Sequence, residues 1–294
     1  AHFASNARTW SLIARDAYNG IQLWRHELPS WGGARGGKKV GPAQVNRRLV
    51  AVGDRVYAML GEFAPVSVLD AATGEMIRVL KDTEKAEEFI VSDGVLLALV
   101  NVGSAADVRR GGKQSMSLVA VDPANGALLW QHAADMIMPL TVASDGEQVV
   151  YHDSKVIRSL DLRSGSPRWT SPPTGQKVEF RNQANADSPG AEKSTILLAP
   201  QFAPTMVMYK GVVAFAGGCQ INVVSADDGH ELWRGDYAPS NYSVPVDLFG
   251  FNDCLWGPDT AMNMWRPLSD SLDYNAYDPL TGEQKKSVKG SYGF

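Results

Sequence analysis

Six times along the chain an Asp or Ser stands four residues before a glycine: at Asp16 and Gly20, Asp70 and Gly74, Asp122 and Gly126, Asp161 and Gly165, Ser225 and Gly229, and Asp278 and Gly282. Successive glycines are 54, 52, 39, 64 and 53 residues apart. A period of about 50 residues means one structural unit built repeatedly, and the uneven spacing means insertions between units. Each repeat has the same grammar. Short apolar, β-branched runs such as 48–60 read as two strands joined by a Gly-Asp hairpin, a third strand (66–70) enters the turn, and a fourth (75–80) leaves it. Four short antiparallel strands per repeat of this length predict an all-β chain of β-propeller blades.

The turn chemistry explains the recurring residues. An Asp carboxylate accepts bonds from N–H groups two and three residues ahead, and a glycine at the end takes positive φ without a Cβ clash. Four residues after the glycine stands a tryptophan in four repeats, Trp24, Trp130, Trp169 and Trp233, with Arg78 and Lys286 in the other two. A Trp at one fixed register of the outermost strand reads as a structural docking residue buried against the neighbouring blade, contributing about 1.5–3 kcal/mol by area.

The segments 120–130 (AVDPANGALLW) and 224–233 (VSADDGHELW) resemble the tryptophan-docking repeat of the pyrroloquinoline-quinone-like, quinoprotein-type β-propellers. The resemblance runs over essentially the whole chain. Segments 10–24 and 247–256 look most like the large secreted propeller-repeat proteins of planctomycete-type bacteria. The resemblance implies a ring of seven or eight blades and a periplasmic, cell-surface or secreted location. About five repeats read as complete. The first supplies only its two outer strands, 10–14 and 21–27, so the chain is expected to be a single propeller domain or a fragment of one. Further blades then come from the same or another chain, and a six-bladed ring with one thin blade is the alternative.

At 44% hydrophobic and 20% charged, the 294 residues bury a substantial core, and repeats running end to end favour one domain. The net charge of −4 argues against general nucleic-acid affinity, and no long apolar run reads as a membrane span. Cys219 and Cys254 are the two cysteines, in corresponding places of adjacent repeats. A disulfide is open to them, and two buried free thiols are the favoured reading. The catalytic members of the resembling family carry an adjacent cysteine pair against the quinone; this chain has no Cys-Cys, which weighs against that cofactor.

Motifs for other chemistry are missing: no nucleophile elbow, no Walker A loop, no Gly-x-Gly-x-x-Gly and no paired His or Cys metal spacing. The five histidines are scattered, and His26 and His132, two residues beyond a Trp, read as strand-surface residues. Asp227-Asp228 resembles part of a calcium loop but lacks its alternating oxygen ligands, and reads as a structural turn. Function is therefore expected in three insertions. Residues 30–48 are glycine-rich and basic; 172–204 carry Lys177 and Arg181; 237–273 carry Tyr242, Trp256, Asp259, Asn263, Trp265 and Arg266. Aromatic and amide-rich loops suit a protein or glycan partner. The expectation is a non-catalytic scaffold without cofactor. The alternative is a dehydrogenase with pyrroloquinoline quinone and Ca in the central funnel, for which Trp256, Asp259 and Asn263 are the candidate groups.

Overall fold

The computed structural model describes residues 2–5, 10–28, 46–61, 64–102, 116–174, 204–217, 220–237, 247–258 and 273–289. These fall into two compact units, one reaching to residue 134 apart from a short stretch before 114, the other holding the remainder. Each unit contains three consecutive antiparallel sheets.

In the first unit, β1 (His2–Ser5), β2 (Trp10–Arg15) and β3 (Gln22–Leu28) form a three-stranded sheet. The expected pair of outer strands is thus joined by a third, which pairs His2 with Ile13 and Ser5 with Trp10. Next come the four-stranded sheets β4 (Leu49–Val52), β5 (Arg55–Met59), β6 (Val66–Asp70), β7 (Met76–Leu80), and β8 (Ala86–Ser92), β9 (Val95–Asn101), β10 (Met116–Val121), β11 (Leu128–Ala134). In the second unit, β12 (Ala143–Ser144), β13 (Gln148–His152), β14 (Ile157–Asp161) and β15 (Pro167–Thr170) form the fourth sheet. The fifth is β16 (Thr205–Tyr209), β17 (Val212–Gly217), β18 (Gln220–Ser225) and β19 (Glu231–Asp236); the sixth is β20 (Phe249–Phe251), β21 (Cys254–Pro258), β22 (Asp273–Tyr277) and β23 (Gln284–Lys289). Neighbours in sequence are neighbours in each sheet, the meander expected of a propeller blade.

The Asp-to-Gly turn, with Ser225 for Asp in the fifth sheet, joins the last two strands of every sheet. In the second sheet Asp70 Oδ1 accepts from the N–H groups of Ala72 and Thr73, both at 2.9 Å. Gly74 N–H donates to the Asp70 carbonyl, and Gly74 stands at φ +75°. Backbone donors aimed at the Asp70 carboxylate hold it below its usual range, Thr73 N–H first among them. Asp161 and Asp278 are lowered for the same reason.

Next to each turn the ladder between the last two strands slips by one residue, at the same register in all six sheets. The extra residue on the fourth strand is Leu23, Ile77, Leu129, Arg168, Leu232 or Lys285 in turn. Such a bulge re-aims the side chain that follows it. That side chain is the residue four beyond the glycine, and in the first, second, fourth and fifth sheets it points at the next sheet. Trp24 donates from Nε1 to the Ala71 carbonyl at 2.9 Å, and its ring covers Gly74 so closely that a Cβ there would sit 2.6 Å from Cδ2. Trp169 covers Gly229 and donates to the Ala226 carbonyl; Trp233 covers Gly282 and donates to the Pro279 carbonyl. Arg78 stands in for the ring over the third sheet's turn, with its stem over Gly126 and Nη1 donating to the Asn125 carbonyl at 2.8 Å.

Apolar side chains fill the space behind these contacts. Leu12, Trp24, Tyr57, Met59, Leu69, Phe89 and Leu96 belong to one core cluster of the first unit. In the second unit Val150, Met206, Val213 and Phe215 pack together, as do Ala214, Ile221, Val223, Leu248 and Leu255. Between the fifth and sixth sheets Tyr209 adds a clamp. Its ring lies over Gly250 and its hydroxyl accepts from Asp253 N–H at 3.0 Å, while Lys210 pairs with the Asp253 carboxylate.

Gly74 and Gly20 share positive φ, +75° and +73°, but a Cβ at Gly20 would meet nothing within 4 Å. Alanine at either position costs about 1–2 kcal/mol in backbone strain. Gly74→Ala is expected to lose about 2 kcal/mol beyond Gly20→Ala, because it also displaces the Trp24 ring. Urea denaturation of the two variants measures the difference, and equal losses would mean the ring contact contributes nothing.

Candidate interaction surface

The described topology places the long connections together within each sheet. The turn between first and second strands and the Asp-to-Gly turn share one end: Ala71 N–H donates to the Asp54 carbonyl, Leu162 to Glu147 and Ala226 to Gly211. The links between second and third strands, and from one sheet to the next, leave from the opposite end. All three sequence insertions leave there, between β3 and β4, between β15 and β16, and flanking the β20–β21 hairpin. So does the connection from β9 to β10.

Lys177, Arg181, Tyr242, Asp259, Asn263, Trp265 and Arg266 belong to these connections and lie outside the described residues. Trp256 is described, and it is not a loop residue as expected. It lies in the middle of β21, opposite Phe249, with the two rings parallel within 4° and their centroids 6.2 Å apart. The stretch read as one insertion from 237 to 273 contains this hairpin, β20 and β21.

Buried polar networks stand where the connections begin and end. In the first unit Arg48, just ahead of β4, donates from Nε to the Glu87 carbonyl at 2.9 Å. Glu87 is the irregular residue of the ladder between β8 and β9, 5% exposed, and its Oε1 accepts from Asn101 Nδ2 at 3.1 Å. Burial raises the Glu87 carboxyl above its usual range, opposed by Asn101 and the Arg48 charge.

In the second unit the corresponding anchor is His152, fully buried at the end of β13. Its ring stacks on Phe215 with centroids 4.2 Å apart. Ser154 N–H donates to Nδ1 at 3.0 Å, so in the neutral ring Nε2 carries the proton and donates to Thr174 Oγ1, also at 3.0 Å. Thr174 donates onward to the Lys155 carbonyl, and Ser171 N–H to that of Ile157. The four residues 171–174, from which the connection to β16 departs, are thereby tied to the β13–β14 hairpin. Burial lowers the His152 pKa to about 4, against the pull of Asp153. Gln148 is another buried polar group of this unit, donating to the Ala226 carbonyl and accepting from Ser159 and the Trp169 indole.

Sequence reading passed over His152, Gln148 and Glu87. Only their place in otherwise apolar strands marks them, and that signal does not name a partner. His26, expected on the strand surface, is half-buried: Nε2–H donates to the Gly74 carbonyl at 2.7 Å and the ring meets Trp24 edge-on. Cys254 is a free thiol but half-exposed, not buried, because it sits on the outward face of the sixth sheet; Cys219 lies outside the described residues. Asp228 of the Asp227-Asp228 pair bonds His230 at 2.6 Å, which holds its carboxyl low. Among the described residues no group of three or more His, Cys, Asp or Glu is placed to hold a metal ion. Among them, Trp256 is the one candidate quinone-site group present, and it is stacked within its own sheet. No helix of the described residues is long and apolar enough to cross a membrane.

Strand order, turns and inter-sheet contacts define a β-propeller of four-stranded blades. A family model described as outer membrane protein assembly factor BamB matches residues 114–264, more than half of the chain, and the chain belongs to that family. It is 28% identical over 173 residues to the outer membrane protein assembly factor BamB of Moranella endobia (strain PCIT), a match spanning 55% of this chain and 40% of the relative's length. The crystal structure of BamB from Moraxella catarrhalis superposes with a TM-score of 0.53 at 16% identity, covering 98% of this chain and 72% of that one. The computationally designed Ika8 protein gives 0.53 at 12% identity, covering 97% and 85%. At these identities the two structures share the fold alone.

His152 binds its proton in the unfolded chain near pH 6.5 and in the folded chain at about 4. Between those values the unfolded state holds more protons, so stability falls as pH drops from 6.5 to 4, by up to about 3 kcal/mol. Urea midpoints across this window are expected to show the fall, and His152→Phe to flatten it.

Proposed function

We propose that this chain is a non-catalytic scaffold that binds a protein partner outside the cytoplasm through the connections at one end of its sheets. Membership of the BamB family supports the reading, and the relative's name carries it to outer-membrane protein assembly. The single observation behind the mechanism is the set of buried anchors at the feet of the insertions, Arg48 with Glu87 and His152 with Thr174. A platform already ordered before contact spends little binding energy on ordering itself. The aromatic and basic connections supply contact groups of the kind that dominate interfaces, Trp, Tyr and Arg. Trp265 and Arg266 in the connection from β21 to β22, Tyr242 in that from β19 to β20, and Lys177 and Arg181 in that from β15 to β16 are the proposed contacts. A glycan partner fits the same aromatic groups but has no further support. A quinone- and Ca-dependent dehydrogenase remains the alternative from resemblance, and no observation favours it.

Trp265→Ala with Arg266→Ala is expected to weaken partner capture at least tenfold, or about 1.4 kcal/mol. Its melting temperature should stay close to that of the parent chain. A photo-crosslinker at position 265 identifies the partner in an intact cell envelope. Loss of the fold in the double variant would make these residues packing groups and sink the assignment. Stoichiometric binding of pyrroloquinoline quinone with Ca, with dye-linked alcohol oxidation, would replace the scaffold by the enzyme.

A further inference from the structure

The last strand of each sheet is also an end strand: among the described residues β3, β7, β11, β15, β19 and β23 each pair with one neighbour only. An end strand leaves alternate N–H and C=O groups without a ladder partner, and proteins guard such edges with prolines and charged side chains. In the second unit each last strand is guarded in this way. Pro167 and Arg168 stand exposed on β15, Glu231 and Arg234 on β19, and Lys285 and Lys286 on β23. In the first unit the exposed side chains of β3 include Arg25 and Glu27.

β7 is built the other way. Its exposed side chains are Met76 at 54%, Ile77 at 45% and Val79 at 37%, all apolar. Its one charged residue, Arg78, is turned to the third sheet, where the stem covers Gly126 and Nη1 donates to the Asn125 carbonyl. Ile77 is the bulge residue, so its backbone stands out of the ladder to β6 as well. The apolar strip continues on both sides, because Trp24 sits on Gly74 and Arg78 on Gly126. Leu23 precedes Trp24 on β3, and Leu128 and Leu129 open β11 just beyond Gly126; all three are exposed. Both sheets that flank β7 thus belong to its own unit.

We propose that the edge of β7 receives an extended segment of a partner protein, which adds to the second sheet as a fifth strand and sets apolar side chains beside Ile77 and Val79. Two demands select this occupant. The backbone of an end strand asks for N–H and C=O groups at strand spacing, which an extended chain supplies and a helix or a lipid surface does not. The side chains ask for apolar neighbours, and cross-strand pairs of apolar residues stabilise an antiparallel pair. The guarded edges of β15, β19 and β23 refuse the same segment, since each would set a charge or a proline against it. The edge is a second contact surface of the scaffold, formed by residues other than Trp265 and Arg266, so the two assignments stand or fall separately.

The probe is a labelled synthetic peptide of about ten residues, Val and Thr alternating, with a Lys at each end for solubility. Fluorescence anisotropy follows its binding to the full 294-residue chain, and hydrogen exchange locates it. Exchange is expected to slow along Met76–Leu80. Ile77→Lys with Val79→Lys gives β7 the guard that other edges have and should weaken binding about tenfold or more, with a melting temperature within about 3 °C of wild type. Ile77→Thr with Val79→Thr keeps β-branched side chains and carries the test if the lysines disturb the fold. The same peptide N-methylated at two consecutive central residues loses a donor on each of its edges and should not bind. No binding at peptide concentrations on the order of 1 mM, equal binding of the methylated peptide, undiminished binding to the edge variants, or slowed exchange on another strand would each overturn the proposal. Self-association of the chain that the lysine variant abolishes would also overturn it, by putting a second copy on the edge.

Discussion

The covering of a turn glycine by a side chain from the preceding sheet is the interaction on which the described structure depends. A single four-stranded meander has two faces and no interior of its own, so its stability comes from burying those faces against neighbours. The turn makes that burial specific. Asp or Ser side chains and a positive-φ glycine hold the backbone in a tight loop, and the bulge beside it re-aims one side chain of the fourth strand at the next loop. The indole then has two tasks at once, filling the space above the glycine and donating Nε1–H to a turn carbonyl that the sheet leaves unpaired. Arg78 performs both with different atoms, its methylene stem over Gly126 and its guanidinium on Asn125. What the position demands is a long apolar body ending in a donor, and Trp and Arg both meet that demand.

Some buried polar groups lie within strands, as Gln148, Ser159, Asn222 and Asn275 do, and others stand where strands give way to connections, as Arg48, Glu87 and His152 do. A buried polar group costs stability unless it is bonded, and the last three are bonded: Arg48 to the Glu87 carbonyl, Glu87 to Asn101 Nδ2, and His152 to Ser154 N–H and Thr174 Oγ1. They substitute for the ladder at its end. The result is a set of fixed exits from which variable connections begin, a division of labour between rigid scaffold and loop residues.

The blades were legible because their signals are local. Hairpin glycines, β-branched runs and the Asp-to-Gly turn each act within a few residues, so strands such as β6, β10 and β18 stand where the apolar runs place them. The candidate surface was less legible. Trp256 reads as a loop aromatic from composition, but it belongs to β21 because Phe249 and Trp256 pair across a hairpin whose Asn252-Asp253 turn takes positive φ without glycine. His26 reads as exposed from its register on a fourth strand; its bond to Gly74 spans 48 residues, a distance no local pattern reports. His152 was passed over for the same reason, since Phe215 and Thr174 reach it from other segments.

The sequence by itself determined the unit and its repetition: four short strands, a turn with fixed chemistry and a residue at fixed register beyond it, because hydrogen bonds within a turn and alternation along a strand are decided by neighbours in the chain. Only the tertiary structure decided what each unit touches. Which carbonyl an indole finds, whether Arg78 can take the place of a ring, and which histidine loses its proton to burial all depend on atoms brought together from about 50 residues or more away, one repeat period along the chain. Their free energy comes from water excluded between sheets, and that exclusion exists only once the sheets have met.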